Sequence, residues 1–143
     1  MTRRVIRLTI VAAAALAACT GSTSVRPFGG TYALATVNGS PVPQPEYPQA
    51  INPMIVGGVL TVGPDTLYFV LSLQPVDAGG HAAGDAVPFE SRIPYSRRGD
   101  SLELEGEGPG AGTILGSSVR LVLVTPPSST GISALNTYLF TPR

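Results

Sequence analysis

The sequence predicts an all-β domain: an antiparallel up-and-down meander of about eight short strands, closed into a small barrel. Three observations lead there. Short apolar runs alternate with period two and are separated by turn residues. Glycine and proline are abundant, 17 and 14 of 143 residues, yet 43% of the chain is hydrophobic, enough for a core. No long segment places apolar residues at helical spacing between caps. Strands joined in sequence by short turns favour a meander, and closure removes its edges.

The elements follow in order. Thr31 to Val37 is the first strand and ends at Asn38-Gly39, a hairpin dipeptide. The next segment holds five prolines between positions 41 and 53 (Pro41, Pro43, Pro45, Pro48, Pro53). It reads as extended, polyproline-like loop, because proline cannot donate to a ladder. Ile55 to Val62 is the second strand, with Gly57-Gly58 suggesting a bulge. Gly63-Pro64-Asp65 turns the chain into Thr66 to Leu73, where Leu67, Phe69, Leu71 and Leu73 share one face.

Residues 75–86 include Gly79-Gly80-His81-Ala82-Ala83-Gly84 and read as a long flexible loop. Val87 to Tyr95 sets Val87, Phe89, Ile93 and Tyr95 against Glu90 and Arg92, with Pro88 and Pro94 marking an edge or bulge. Arg98-Gly99-Asp100 is a turn. Ser101 to Glu105 points Leu102 and Leu104 inward and Glu103 and Glu105 outward. Gly106 to Gly112 reads as a glycine-rich turn before the short strand Thr113 to Leu115. Gly116-Ser117 turns again, Val119 to Val124 runs to Pro126-Pro127, and Asn136 to Thr141 closes the chain. Gly131 to Leu135 has room for one helical turn.

The first residues follow a different logic. Arg3, Arg4 and Arg7 precede an uncharged apolar run from Leu8 to Ala18. That run is about half the roughly 20 residues a spanning helix needs, which marks a signal-peptide core. It ends Leu16-Ala17-Ala18-Cys19, and Cys19 is the sole cysteine of the chain. This ending resembles the lipobox of bacterial lipoproteins. The resemblance implies cleavage between Ala18 and Cys19, with lipid on the Cys19 thiol and amine. More than one acyl chain gives stable anchoring. Thr20 follows the cysteine where an acidic residue resembles an inner-membrane retention signal, so the expected address is the outer membrane, facing the periplasm. Residues 19–27 are then a small, polar tether and 28–143 the β domain.

With residues 1–18 removed, three of nine basic residues go and all nine acids stay, so the mature chain carries 6 − 9 = −3. A mildly acidic domain without a basic stripe argues against nucleic-acid binding.

Candidate chemistry is thin. His81 is the sole histidine and sits in a glycine loop with nothing to orient its ring, so a catalytic triad is not expected. One histidine and one lipid-bearing cysteine do not make a metal site, and no cofactor is implied. Glu103, Glu105 and Glu107 read as a wet outer face. Gly106 to Gly112 lacks the lysine and helix of a phosphate loop. Arg97-Arg98 and Arg98-Gly99-Asp100 read as solvated turn residues. Tyr32, Tyr68, Phe69, Phe89, Tyr95, Tyr138 and Phe140 either fill a small barrel or line a ligand cavity.

The pattern Gly30-Thr31-Tyr32-x-Leu34-x-x-Val37-Asn38-Gly39-x-Pro41-x-Pro43 resembles the opening of small bacterial lipocalin-like lipoproteins, and the chain's final Tyr138 to Arg143 resembles their ending. The resemblance is close over residues 30–43 and loose over 29–143. It implies a lipocalin-like barrel and carries over no catalytic residues. The resulting expectation is a non-enzymatic envelope lipoprotein that binds a small apolar or amphipathic ligand. The alternative is a structural or protein-binding lipoprotein with a filled core, motivated by the proline-rich loop 41–53 with Tyr47.

Overall fold

A computed structural model describes residues 28–47, 50–106, 110–125 and 133–143. The signal segment 1–18, the cleavage point at Ala18 and Cys19, and the tether 19–27 lie outside the described residues.

Ten strands form one antiparallel sheet: β1 Gly30–Val37, β2 Ser40–Pro41, β3 Gln44–Tyr47, β4 Ala50–Val62, β5 Thr66–Gln74, β6 Val87–Arg98, β7 Ser101–Leu104, β8 Gly110–Leu115, β9 Ser118–Thr125 and β10 Ala134–Pro142. Eight of them, β1 and β4 through β10, close a barrel. Each pairs with its neighbour in sequence, and β1 completes the circle by pairing with both β10 and β4. The predicted all-β meander is therefore the observed fold. Its eight barrel strands fall where the sequence marks strands, with some bounds shifted, and β2 and β3 are additional.

The interior is built from the alternating apolar faces. Leu34, Leu60, Leu67, Phe69, Leu121 and Phe140 are buried in one cluster. Phe69 anchors it, meeting the rings of Tyr138 and Phe140 edge-on at 5.4 and 5.8 Å. Each such side chain contributes about 1.5–3 kcal/mol on burial, and edge-on aromatic pairs add to that. Outward positions carry the polar partners. Tyr68 donates to Glu90 Oε2 at 2.6 Å, and Arg92 lies 5.6 Å from the centre of the Tyr68 ring.

Three sequence expectations are corrected. The segment 41–53 is not all loop, since it forms β2, β3 and the start of β4. β1 pairs with β4 only over Gly30–Ala33 and leaves the upper seam open. There β2 pairs with β1 from one side and β3 pairs with β4 from the other. β3 lies at the end of the strand order, and its register with β4 shifts between Pro45 and Tyr47. Such an edge position tolerates a missing amide hydrogen.

The second correction is Gly110 to Gly112, which is strand and not turn. A Cβ on Gly112 would lie 2.8 Å from Leu102 Cβ and 3.1 Å from Leu121 Cδ2. The glycine is there because the leucines of β7 and β9 already occupy the interior at that point. The rest of the expected turn, residues 107–109, lies outside the described residues.

Third, Ala134 and Leu135 belong to β10 and not to a helical turn. Residues 131 and 132 lie outside the described residues.

Strand direction sorts the connections into two ends. The chain enters at Phe28, and Gly30, the turns at 63–65, 99–100 and 116–117, and the end of β10 lie at one end. We call this end proximal. Phe28 caps it, packed edge-on against Tyr95 at 5.9 Å with the Arg97 guanidinium 5.2 Å from its ring centre. The connections after β1, β5, β7 and β9 lie at the opposite, distal end.

Candidate functional site

The distal end holds a buried polar junction. Asn38-Gly39 makes a two-residue hairpin turn with both residues at positive φ, 52° and 82°, the type I′ geometry this dipeptide favours. The turn places the Asn38 side chain against β10. Asn38 Nδ2 donates to Asn136 Oδ1 at 2.8 Å, and the Thr137 amide donates to Asn38 Oδ1 at 2.8 Å. Asn136 is fully buried and donates through Nδ2 to the backbone carbonyl of Glu46 at 2.8 Å. These bonds tie β10 to the start of β2 and to β3. Asn136 is the bolt of the seam.

Glu46 itself is buried at 7% exposure. Gln44 pairs with the inward Ile55, and Glu46 follows where the register with β4 shifts. Among the described residues no hydrogen bond or ion pair to the Glu46 carboxylate is found. Burial pushes this carboxyl above the usual carboxylate range. Tyr47 is raised too, by burial and then by the neighbouring Glu46 charge.

An apolar rim lies at the same end. Inward positions of β6 alternate with those of the core, and Leu71 pairs with Phe89 and Leu73 with Val87. Val87 is nevertheless 57% exposed and Phe89 38% exposed. The cause is the short β7, which reaches only Tyr95 to Arg98 of β6. Among the described residues, Val87 to Ile93 pair on one side alone, with β5. Pro88 lies on this open edge, and Pro94 lies at its end, where its carbonyl accepts the Glu105 amide at 2.8 Å. The Tyr95 amide donates towards β5, to the Asp65 carbonyl, and alternation then points the amide positions of 94 and 88 away from β5. No β5–β6 ladder bond is lost, and the open edge is blunted against a foreign strand. Leu73, Leu104 and Leu123 are partly buried and packed against the core cluster.

The other residues marked in the sequence are dispersed. Cys19 and Ala18 lie outside the described residues, as does Glu107. Glu103 is outward, 3.4 Å from Arg98 Nε, and contacts Ser96 Oγ at 3.4 Å. Arg97 is not simply solvated: it covers Phe28, and its Nε donates to the Gly99 carbonyl at 2.7 Å. Tyr32, Phe69, Tyr95, Tyr138 and Phe140 are buried, Tyr68 is on the outer face and Phe89 on the rim.

His81 is oriented after all, by Asp77. Asp77 Oδ1 lies 3.4 Å from His81 Nδ1 and accepts the amides of Gly79 and His81 at 2.9 Å. Hydrogen bonds from those amides hold the Asp77 carboxyl below its ordinary range. The loop at 75–86 is thus a fastened structure, with Val76 buried and bridged to Ala82. Among the described residues no hydroxyl is hydrogen-bonded to the His81 ring. No group of three His, Cys, Asp or Glu side chains converges among them either.

Asn38 was legible only as a turn residue, and Asn136 and Glu46 were missed. A signal existed for Glu46: it is the sole charged residue between Arg26 and Asp65. Comparison with known proteins finds no matching family model, no matching curated protein and no matching solved structure.

Proposed function

We propose that this chain is a non-enzymatic envelope lipoprotein, anchored through lipid on Cys19, which holds a small amphipathic ligand at the distal end of its barrel. The observation that carries the ligand reading is the exposure of Val87 and Phe89 on the face that elsewhere is the core. The interior is occupied by side chains such as Leu67, Phe69 and Phe140, so the ligand sits at the rim. Glu46, whose backbone Asn136 holds in place, supplies a polar contact for one end of it.

All ten strands lie beyond Phe28, so a chain started at Thr20 retains the whole barrel. The test is binding of the neutral dye N-phenyl-1-naphthylamine to that chain, with displacement by dodecanol. Saturable binding that Phe89→Ser abolishes supports the reading. No binding, or binding indifferent to Phe89, overturns it.

A second reading, a lipoprotein that binds a protein partner with its barrel filled, is favoured by Leu135, which is 64% exposed at the same end. Crosslinking in cells from position 135 that recovers one specific partner supports it; recovering none counts against it.

A further inference from the structure

Glu46 poses a question the amphipath reading leaves open. β1, β4 and β10, the strands around β3, contain no charged residue at all. Into this neutral wall the chain sets one glutamate, a residue 7% exposed overall whose carboxylate oxygens keep some contact with solvent, with its backbone clamped by Asn136. An isolated buried charge is costly, and a neutral residue of the same shape costs less. The fold needs only the Glu46 carbonyl, which any residue supplies. Its carboxylate has no partner among the described residues, so its natural complement is a cation brought from outside.

The rim is within reach of it. Gln44, Ile55, Leu73 and Val87 pair in turn across β3, β4, β5 and β6 and form one inward row. Three inter-strand steps make that row about 14 Å wide, a span a dodecyl chain covers. Glu46 stands by one end of the row and exposed Val87 at the other. Charge and apolar surface are thus arranged as a head site and a tail site.

We propose that Glu46 is the anionic head-group site of the distal rim and selects cationic amphiphiles, ligands with a protonated amine at one end of an apolar chain. This rests on the amphipath reading above. The amine is held by a charge-assisted hydrogen bond, strengthened by its poorly solvated surroundings. Tyr47 on the same strand and Tyr32 and Tyr138 on the flanking strands are the other titratable groups there. Among the described residues Glu46 is the one carboxylate or base on these strands.

The test uses the chain started at Thr20 and three probes of one length: dodecylamine, dodecanol and dodecanoate. Calorimetric titration near neutral pH should show dodecylamine binding about tenfold or more tighter than dodecanol, as expected of one charge-assisted bond. Dodecanoate should bind weakest. Glu46→Gln should erase the amine preference, so that dodecylamine and dodecanol bind the variant alike. In the unaltered chain, dodecylamine affinity should rise as pH is raised from about 4 to about 8, while that of dodecanol stays level; this measurement does not depend on how the variant folds. Equal affinity for amine and alcohol in the unaltered chain, or an amine preference that survives in Glu46→Gln, overturns the assignment of Glu46. If no probe binds at all, the amphipath reading falls with it. If dodecanol binds without any amine preference, only the head-group assignment falls.

Discussion

Replacing Asn136 by alanine should loosen the distal seam before any other part of the barrel. Two bonds of 2.8 Å disappear, one to Asn38 Nδ2 and one to the buried Glu46 carbonyl. A partly exposed hydrogen bond contributes about 1 kcal/mol, and a buried carbonyl left without a donor costs about 1–3 kcal/mol. The expected loss is about 3 kcal/mol. For a domain of about 115 residues, unfolding entropy near 0.24 kcal/mol/K makes each kcal/mol worth about 4 °C, so the melting temperature should fall by about 12 °C. The assay is thermal unfolding of the unaltered chain, Asn38→Ala, Asn136→Ala and the double variant. Because Asn38 and Asn136 share one bond, their effects should couple by about 1 kcal/mol. Hydrogen exchange should show the β3 amides losing protection first in Asn136→Ala. A fall of less than about 2 °C, or additive effects, would refute the reasoning that Asn136 bolts β3 to β10.

Other consequences follow from the same geometry. Gly112→Ala sets a Cβ 2.8 Å from Leu102 Cβ, whereas a Cβ on Gly57 meets nothing within 4 Å. The first should destabilise by about 1–3 kcal/mol and the second should be close to neutral; equal effects on denaturant midpoints would show that Gly112 does not face the interior. Burial raises the Glu46 carboxyl, so the folded chain holds this proton more tightly than the unfolded one. Stability is then greatest below the ordinary glutamate range and falls as pH rises through it and past the raised value. Glu46→Gln should remove that fall, so its advantage in melting temperature over the unaltered chain should grow with pH, and a constant difference would contradict the burial. At Asp77 the sign is reversed. Its depressed carboxyl stabilises the 75–84 loop above the ordinary aspartate range and loses that contribution as pH drops through the lower folded value. The amide shifts of Gly79 and His81 should titrate with a midpoint below that of an ordinary aspartate, and a normal midpoint would be the contrary result.

The barrel was legible because its information is local. Period-two runs such as Thr66 to Leu73 and turns such as Asn38-Gly39 need no knowledge of the rest of the chain. What escaped is set by distant contacts. Gly110 and Gly112 have the composition of a turn, and only the leucines of β7 and β9 make them strand. Pro45 forbids a central strand but not one at the end of the sheet. Asn136 looks like any polar strand residue, and its partners Asn38 and Glu46 lie 98 and 90 positions away. Loop fastening was hidden for a related reason: Asp77 acts through backbone amides, which composition does not reveal. The distal site is made almost wholly of such distant pairings, so the sequence disclosed its aromatic Phe89 but not its polar half.

The anchor remains the most direct test of the whole account. The full chain should be expressed in a Gram-negative bacterium, recovered from the membrane fraction and measured as an intact mass. The expected mass is that of a chain beginning at Cys19 with a diacylglyceryl group on sulfur and an acyl group on the amine, and Cys19→Ser should abolish both modifications. A chain beginning elsewhere, with an unmodified Cys19 thiol, would contradict the account.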